Sequence, residues 1–155
     1  MCGRFYLAAS KEQIGQTFDV DLGQLKLQSC YNIAPSQQIL TITQNQQKKQ
    51  AQLMRWGLIP FWSQGIDSRY NMINARSESI QVKPAYQRPF KRTRCLIPAS
   101  GYYEWKKEKE QKQPYCISRK DSGLMAFAGI WDSWKGPSET ICSCSIVTTS
   151  AVPPL

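Results

Sequence analysis

The second residue of the chain, Cys2, has the clearest capacity for covalent chemistry. Cysteine is small enough for Met1 to be removed, which would leave Cys2 with both a thiol and a free α-amino group. Such a 1,2-aminothiol captures aldehydes: the amine adds to the carbonyl, water leaves, and the thiol closes a five-membered thiazolidine ring. An α-amine has a pKa of about 7.7–8.0, against about 10.4 for lysine, so part of it is neutral and nucleophilic near pH 7. The alternative is an ordinary terminal residue with no reaction to perform.

Glu104 is a second candidate because of its neighbours. It follows Tyr102 and Tyr103 and precedes Trp105. Desolvation by aromatic rings favours the protonated form of a carboxyl group, which suits proton transfer near neutral pH. The alternative is a strand glutamate that points into solvent.

Asn74 and Arg76 are separated by two residues and would share one face of an extended strand. An amide can orient a carbonyl or sugar oxygen, while a guanidinium binds an adjacent phosphate in bidentate fashion. A hydrogen bond at a strand end and a surface arginine would explain the same two residues without a ligand.

The net charge of +9 favours a partner that carries phosphates. The excess is concentrated between residues 76 and 94, where six basic residues accompany a single acidic one, Glu78. This block is either a phosphate footprint or a solubilising face. Phe61 and Trp62 follow a glycine and a proline that interrupt a strand, so Trp62 either stacks on an unpaired base or belongs to the core. We assign Trp56 to the core.

Several classes of site are excluded by composition. The chain has no histidine, so it contains no Ser–His or Cys–His nucleophile pair. Its six cysteines lie in apolar or strand-like runs and no export signal is present, so we expect reduced thiols. With no C-x-x-C pair and no histidine, a zinc site is not expected, and we expect no metal and no cofactor. No apolar run reaches about 18 residues and no secretory signal is present, which predicts a soluble protein of the bacterial cytoplasm and nucleoid, or of the nucleus in a eukaryote.

The hydrophobic pattern predicts an α+β protein, with one domain over 1–155. Ser10 to Gln13 form a capping box that begins a helix over 11–18. A turn is predicted at 31–37, followed by a hairpin of strands 39–43 and 51–56 with a polar tip between them. Further strands are predicted on both sides of a bend within 95–105 and at 114–118, 124–131 and 141–149. We expect a mostly antiparallel, barrel-like sheet with a few short helices.

The order of several motifs gives the chain a specific resemblance. The motifs are MCGRF at 1–5, YNIAP at 31–35, RWGLIP at 55–60, NARSE at 74–78, RCLIP at 94–98, EW at 104–105, FAGIW at 127–131 and VTT at 147–149. With these motifs the chain resembles the SRAP family, the SOS response-associated peptidases that process abasic sites. The motifs span almost the whole sequence.

The resemblance implies a positively charged cleft for single-stranded DNA with Cys2 at its floor. Cys2 would trap the aldehyde of an abasic site as a thiazolidine DNA–protein crosslink. Asn74 would position the sugar and Glu104 would transfer protons during ring opening and imine formation. Arg4 and Arg76 would match phosphate-binding positions. We expect a monomer that needs no cofactor and no membrane.

The chain also departs from the family pattern. Family members continue past the matching Thr-Thr into a segment with a catalytic histidine, and this chain ends before it, so a C-terminal portion is expected to be missing. The steps attributed to that histidine, strand cleavage by β-elimination and reversal of the crosslink, would be impaired. A second hypothesis is therefore a non-catalytic single-stranded DNA-binding module. A third, a thiol peptidase acting on other proteins, is disfavoured by the absence of histidine.

Overall fold

A computed structural model describes residues 3–66, 72–108 and 111–150 and shows the predicted α+β class, so Cys2 lies outside the described residues. The strands are β1 (Arg4–Leu7), β2 (Cys30–Ile33), β3 (Gln38–Asn45), β4 (Lys48–Trp56), β5 (Asn74–Arg76), β6 (Arg94–Ala99), β7 (Gly101–Glu108), β8 (Gln111–Ser118), β9 (Met125–Lys135) and β10 (Thr140–Thr148). The helices are α1 (Lys11–Phe18) and α2 (Pro84–Arg92).

Five strands form a closed barrel in the order β4-β3-β6-β9-β10. The barrel closes where β10 pairs in parallel with the end of β4, with Cys144 beside Trp56. Further along the same edge of β10, strand β5 takes over as a second parallel partner. The other pairings in the barrel are antiparallel, which confirms the mostly antiparallel sheet. Closure removes the free edges that an open sheet of these strands would expose.

A second antiparallel sheet, β2-β1-β7-β8, lies against the barrel. Its inward residue Phe5 contacts Trp56 at a ring-centroid distance of 5.1 Å and Phe127 at 5.6 Å, both edge to face. The main core, between this sheet and the barrel interior, also includes Ile97 and Ile146. These contacts fix how β1 sits relative to the barrel.

Helix α1 forms as predicted because its capping box is complete. The backbone N–H of Gln13 donates to Ser10 Oγ at 3.2 Å, and the Ser10 N–H donates to Gln13 Oε1 at 2.9 Å. Ile14 is buried and anchors the helix on the main core. The helix ends at Asp19, which adopts the left-handed conformation with φ of 50°.

Helix α2 was not predicted from the sequence. It begins at Pro84, in the first helical position, where a missing N–H costs no hydrogen bond. The internal Pro89 and the surrounding basic residues hide the helical pattern. Its buried Tyr86 packs in a smaller second core with Leu58, Ala75, Ile80 and Ile130.

Two local predictions were wrong in their boundaries. The hairpin tip predicted over residues 44–50 is a turn at 46–47, because cross-strand backbone pairing extends both strands through Gln- and Lys-rich sequence. Gln46 takes the left-handed conformation that this turn requires, with φ of 53°. The predicted turn at 31–37 begins as strand β2, which pairs with β1 at the edge of the second sheet.

Candidate functional site

Strand β1 lies beside β7, and the register of this pair decides where Arg4 and Glu104 face. Phe5 is opposite Tyr102, and Arg4 is opposite Tyr103. Directly opposed residues in an antiparallel pair share a face, so Phe5 and Tyr102 face the barrel while Arg4 and Tyr103 face outward. Because side chains alternate along β7, Glu104 belongs to the barrel-facing side.

Arg4 is held on the outer face of the second sheet. Its Nη1 donates to Asn32 Oδ1 on β2 at 2.8 Å. Tyr103 Oη donates to the carbonyl oxygen of Tyr31 at 2.8 Å on the same face. Sequence reasoning missed Asn32 because it is 28 residues from Arg4 and the pairing of β1 with β2 was not predicted.

Asn74 begins β5 and pairs with Ile146 of β10 in parallel register. Laterally adjacent residues in such a pair share a face, so Asn74 lies on the side of the sheet where Ile146 enters the main core. The Asn74 carbonyl accepts a hydrogen bond from Tyr86 Oη at 3.2 Å. Burial raises the pKa of Tyr86, which keeps that hydroxyl a donor.

The indole of Trp56 fixes the segment before Asn74. Its Nε1 donates to the carbonyl oxygen of Ile73 at 3.0 Å. The same indole contacts Phe5, next to Arg4. Trp56 is fully buried, which confirms its assignment to the core.

Arg76 shares a face with Asn74, as the spacing of two predicted. The intervening Ala75 is buried in the second core, and Arg76 is exposed at the end of β5. Asn74 and Glu104 therefore face the layer between the two sheets. Arg76 lies at the surface, and Arg4 lies on the opposite face of the second sheet.

Phe61 and Trp62 form an exposed aromatic pair on the segment after β4. Each is 47% exposed, and their rings meet edge to face at 4.9 Å. The guanidinium carbon of Arg88 lies 4.3 Å from the centroid of the Phe61 ring, within cation–π distance. The core alternative for Trp62 is thus wrong, because the segment carries it to the surface.

The buried carboxylate of Asp132 fixes this aromatic pair. Its Oδ2 accepts a hydrogen bond from the backbone N–H of Phe61 at 3.1 Å. Its Oδ1 lies 3.6 Å from Arg88 Nη1 in an ion pair. Sequence reasoning missed Asp132 because the predicted strand ended at residue 131, whereas β9 continues to Lys135.

The basic block between residues 76 and 94 is divided among surfaces in the structure. Arg88 lies at the aromatic pair, while Arg92 and Arg94 line a cavity beside β3. The sequence left open whether this block is a phosphate footprint or a solubilising face, and the structure places its basic residues beside the aromatic pair and at the cavity.

Within 3–66, 72–108 and 111–150 no group of three or more His, Cys, Asp or Glu side chains is placed to hold a metal ion. Over the same ranges no helix is long and apolar enough to span a bilayer.

Comparison with known proteins decides the family. The family model described as SOS response associated peptidase (SRAP) matches residues 1–155. The chain belongs to the SRAP family. SRAP relatives include the abasic site processing protein YoqW of Bacillus subtilis, 40% identical over 96% of this chain and 68% of its own length, and YoaM of the same organism, 42% identical over 96% and 67%.

A more distant relative and a solved structure are also similar to this chain. The abasic site processing protein HMCES of Xenopus tropicalis is 33% identical over 63% of this chain and 36% of its own length. A crystal structure of a Bacteroides thetaiotaomicron protein superposes with a TM-score of 0.86 at 28% identity, covering 96% of this chain and 68% of the other. This SRAP chain thus spans about two thirds of the length of the Bacillus relatives and of that structure.

Proposed function

We propose that this protein processes abasic sites in single-stranded DNA by forming a covalent crosslink through Cys2 after removal of Met1. Membership in the family of the abasic site processing proteins supports the substrate class. The observation that carries the mechanism is the pairing of β1 with β7. Continuing its register by one residue sets Gly3 opposite Glu104, so the chain that leads to Cys2 runs alongside the candidate proton-transfer residue.

Space at the start of β1 is compatible with an incoming sugar. A Cβ built on Gly3 would meet no atom of the described residues within 4 Å. Asn74 and Glu104 belong to faces that border the same core layer, and the buried Trp56 connects the segments that carry Asn74 and Phe5. This arrangement supports Asn74 as a sugar-positioning group and Glu104 as the proton carrier.

One aldehyde and one aminothiol form the thiazolidine with loss of one water. The Cys2 amine adds to the aldehyde carbon, and loss of one water gives an imine. The thiol then adds to the imine carbon, and its proton passes to the nitrogen, which closes the thiazolidine. One C–N bond and one C–S bond replace the carbonyl double bond, and Glu104 would exchange protons with the hydroxyl and the nitrogen during these steps.

Arg76 and the aromatic pair would bind the flanking strand. Arg76 is exposed at the end of β5, where a guanidinium can reach a phosphate. Trp62 exposes an aromatic face on which an unpaired base can stack. Arg4 would contact phosphate from the outer face, where Asn32 already orients its guanidinium.

The test is a crosslinking reaction on a denaturing gel. The protein is mixed with a single-stranded oligonucleotide bearing one abasic site, and a heat-stable shifted band is expected. Cys2→Ala should abolish the stable band, while Cys2→Ser should leave only a product that needs borohydride reduction to survive. An equally strong heat-stable band from Cys2→Ala would exclude the thiazolidine.

Intact mass measurement shows whether Met1 has been removed and the α-amine of Cys2 is free. A species lighter by one methionine carries the free aminothiol and should crosslink, whereas a preparation that retains Met1 should not. Arg119→Gln serves as a control substitution, because Arg119 forms an exposed ion pair with Asp121 after the end of β8. It should crosslink as the parent protein does.

The exposed aromatic pair favours a second candidate, a single-stranded DNA-binding module that forms no bond. Phe61 and Trp62 beside Arg88 are sufficient for stacking with a cation nearby. In that case binding would fall steeply with salt and reverse completely under denaturation. Salt-sensitive binding without any crosslink, in a preparation shown by mass to lack Met1, would select this candidate.

A further inference from the structure

A cavity of about 440 Å³ lies beside β3 and β6. In the cyclic strand order, β3 and β6 are the two strands that do not touch β10, so they lie across the barrel from it. Asn74 and Arg76 lie on β5, which pairs with β10. The cavity therefore occupies a different side of the barrel from these two candidate site residues.

A row of polar side chains crosses the cavity. Lys49 is directly opposite Gln44 in the β3–β4 pair. In the β3–β6 pair, Ile42 is opposite Leu96, and the same register continued by two residues sets Gln44 opposite Arg94. Because opposed residues share a face, Lys49, Gln44 and Arg94 form a cation–amide–cation row with strand spacings of about 4.8 Å.

The charge of the cavity is positive after its neighbours are counted. Lys49 Nζ lies 3.1 Å from Asp19 Oδ2 and donates to the carbonyl oxygen of Phe18 at 2.9 Å, so this cation is largely balanced. Arg94 and, from the end of α2, Arg92 also line the cavity. Neither guanidinium has an ion-pair carboxylate within the described part of the chain. Two positive charges are thus available to one ligand.

The floor of the same cavity is apolar. Leu96 is 44% exposed although it lies in the middle of a barrel strand, and Phe18 and Ile42 line the cavity next to it. An exposed leucine beside two guanidinium groups fits a ligand that has a flat apolar part and an anionic part. A nucleotide has both.

We propose that this cavity binds a nucleotide unit, with its phosphate on Arg92 and Arg94 and its base or sugar against Leu96 and Phe18. The nucleotide is either a free mononucleotide or one unit of a nucleic acid strand that passes over this side of the barrel. Gln44, between the two basic ends of the row, supplies an amide for a phosphate or sugar oxygen. The proposal does not depend on the reaction of Cys2.

The first arm of the test uses dAMP as the probe and amide chemical shifts as the readout. Saturable shifts are expected at Gln44 and Leu96, and inorganic phosphate should shift the same residues more weakly. Arg92→Gln/Arg94→Gln should weaken dAMP binding by at least about tenfold. Leu96→Glu, which keeps both arginines and adds a carboxylate to the floor, should weaken it as well.

The matched control is Lys112→Gln/Lys120→Gln, which removes the same charge from exposed positions on and after β8. Its dAMP affinity should stay within about twofold of the parent. Equal weakening in this control, or no saturable shift at Gln44 and Leu96, would overturn the proposal. Thermal denaturation checks that each variant is folded before binding is compared.

The second arm distinguishes the source of the nucleotide with an oligothymidylate that has no abasic site. If a strand unit occupies the cavity, the oligonucleotide displaces dAMP, and Arg92→Gln/Arg94→Gln lowers the salt slope of its binding by about one to two. If a free nucleotide is the ligand, oligonucleotide binding is unchanged in that variant. Both results support the site, and the covalent band through Cys2 is read separately.

Discussion

The edge of the Phe5 ring lies against the indole of Trp56, with the ring centroids 5.1 Å apart and the planes at 69°. This contact joins the second sheet to the closing strand of the barrel. Trp56 also donates from Nε1 to Ile73, the residue before Asn74. One buried side chain thus fixes the segments that carry Asn74 and Arg4.

Replacing Trp56 with phenylalanine is expected to destabilise the protein by about 1–3 kcal/mol, since it leaves a cavity and removes the donor to Ile73. Urea denaturation measures the change. Trp62→Phe is the matched control, because Trp62 is half exposed and its truncation should leave stability nearly unchanged. If both variants lost the same stability, the indole of Trp56 would not have the structural role assigned to it.

Gly101 is expected to tolerate no side chain. A Cβ at this position would lie 2.6 Å from the carbonyl oxygen of Ile117 and 2.6 Å from Tyr6 Cε1. Gly101→Ala should therefore cost about 1–3 kcal/mol and disturb the pairing of β1 with β7. Gly65→Ala, which adds the same methyl group where no atom of the described residues lies within 4 Å, should have little effect. Chemical denaturation of both variants decides whether β1 and β7 are packed this closely.

Asp132→Ala is expected to make the aromatic pair of Phe61 and Trp62 less fixed in position. The substitution leaves the Phe61 N–H without its acceptor and Arg88 without its buried carboxylate, at a cost of about 1–3 kcal/mol. Acrylamide quenching of tryptophan fluorescence should increase as Trp62 loses its fixed position. Asp121→Ala removes a carboxylate from an exposed ion pair and should change neither quantity. If Asp132→Ala left the quenching constant unchanged, Asp132 would not hold the aromatic pair in place.

Stability is expected to fall above about pH 9 because of two buried thiols. Burial raises the pKa of Cys95 from 9.0 to about 12, and burial together with the nearby Cys95 raises the pKa of Cys144. Below pH 9 both thiols are protonated in the folded and the unfolded chain. Above it the unfolded chain releases protons that the folded chain retains, so the free energy of unfolding falls by up to about 1.4 kcal/mol per pH unit and thiol, until the folded thiols themselves ionise.

Urea denaturation at pH 8 and pH 10 measures this dependence. Tyrosines and lysines also titrate in the range, so the comparison is made with Cys95→Ala/Cys144→Ala, which should show a shallower fall. The exposed Cys116 serves as a reagent control, because it should react with a thiol reagent in the folded protein while the two buried thiols do not. An identical slope in the double variant would assign the effect to other groups.

Local signals in the sequence predicted the elements that depend on local interactions. The capping box of Ser10 and Gln13 predicted α1, and the period of two predicted the shared face of Asn74 and Arg76. Helix α2 escaped prediction because its stability comes from Tyr86 in the second core rather than from its proline-containing sequence. Propensity is a weak guide where tertiary packing decides.

The long-range relationships at the candidate site were not predictable in the same way. The barrel closes where Cys144 meets Trp56, and the aromatic pair is fixed by Asp132, 71 residues after Phe61. The hydrophobic periodicity of one segment cannot predict contacts between residues so far apart in the sequence. The outward orientation of Arg4 likewise depends on the register of β1 with β7 and on Asn32 of β2. A single sequence indicates which residues can do chemistry, while the partners that orient them come from distant strands.

The pairing of β1 with β7 determines how late during synthesis β1 can join its sheet. Residues 4–6 have no β7 partner until residues 101–103 have left the exit tunnel. At about 5–20 residues per second, the delay is on the order of 5–20 seconds. During that interval the start of the nascent chain is open to the enzymes that trim its first residue. Removal of Met1 would then precede the pairing of β1 with β7.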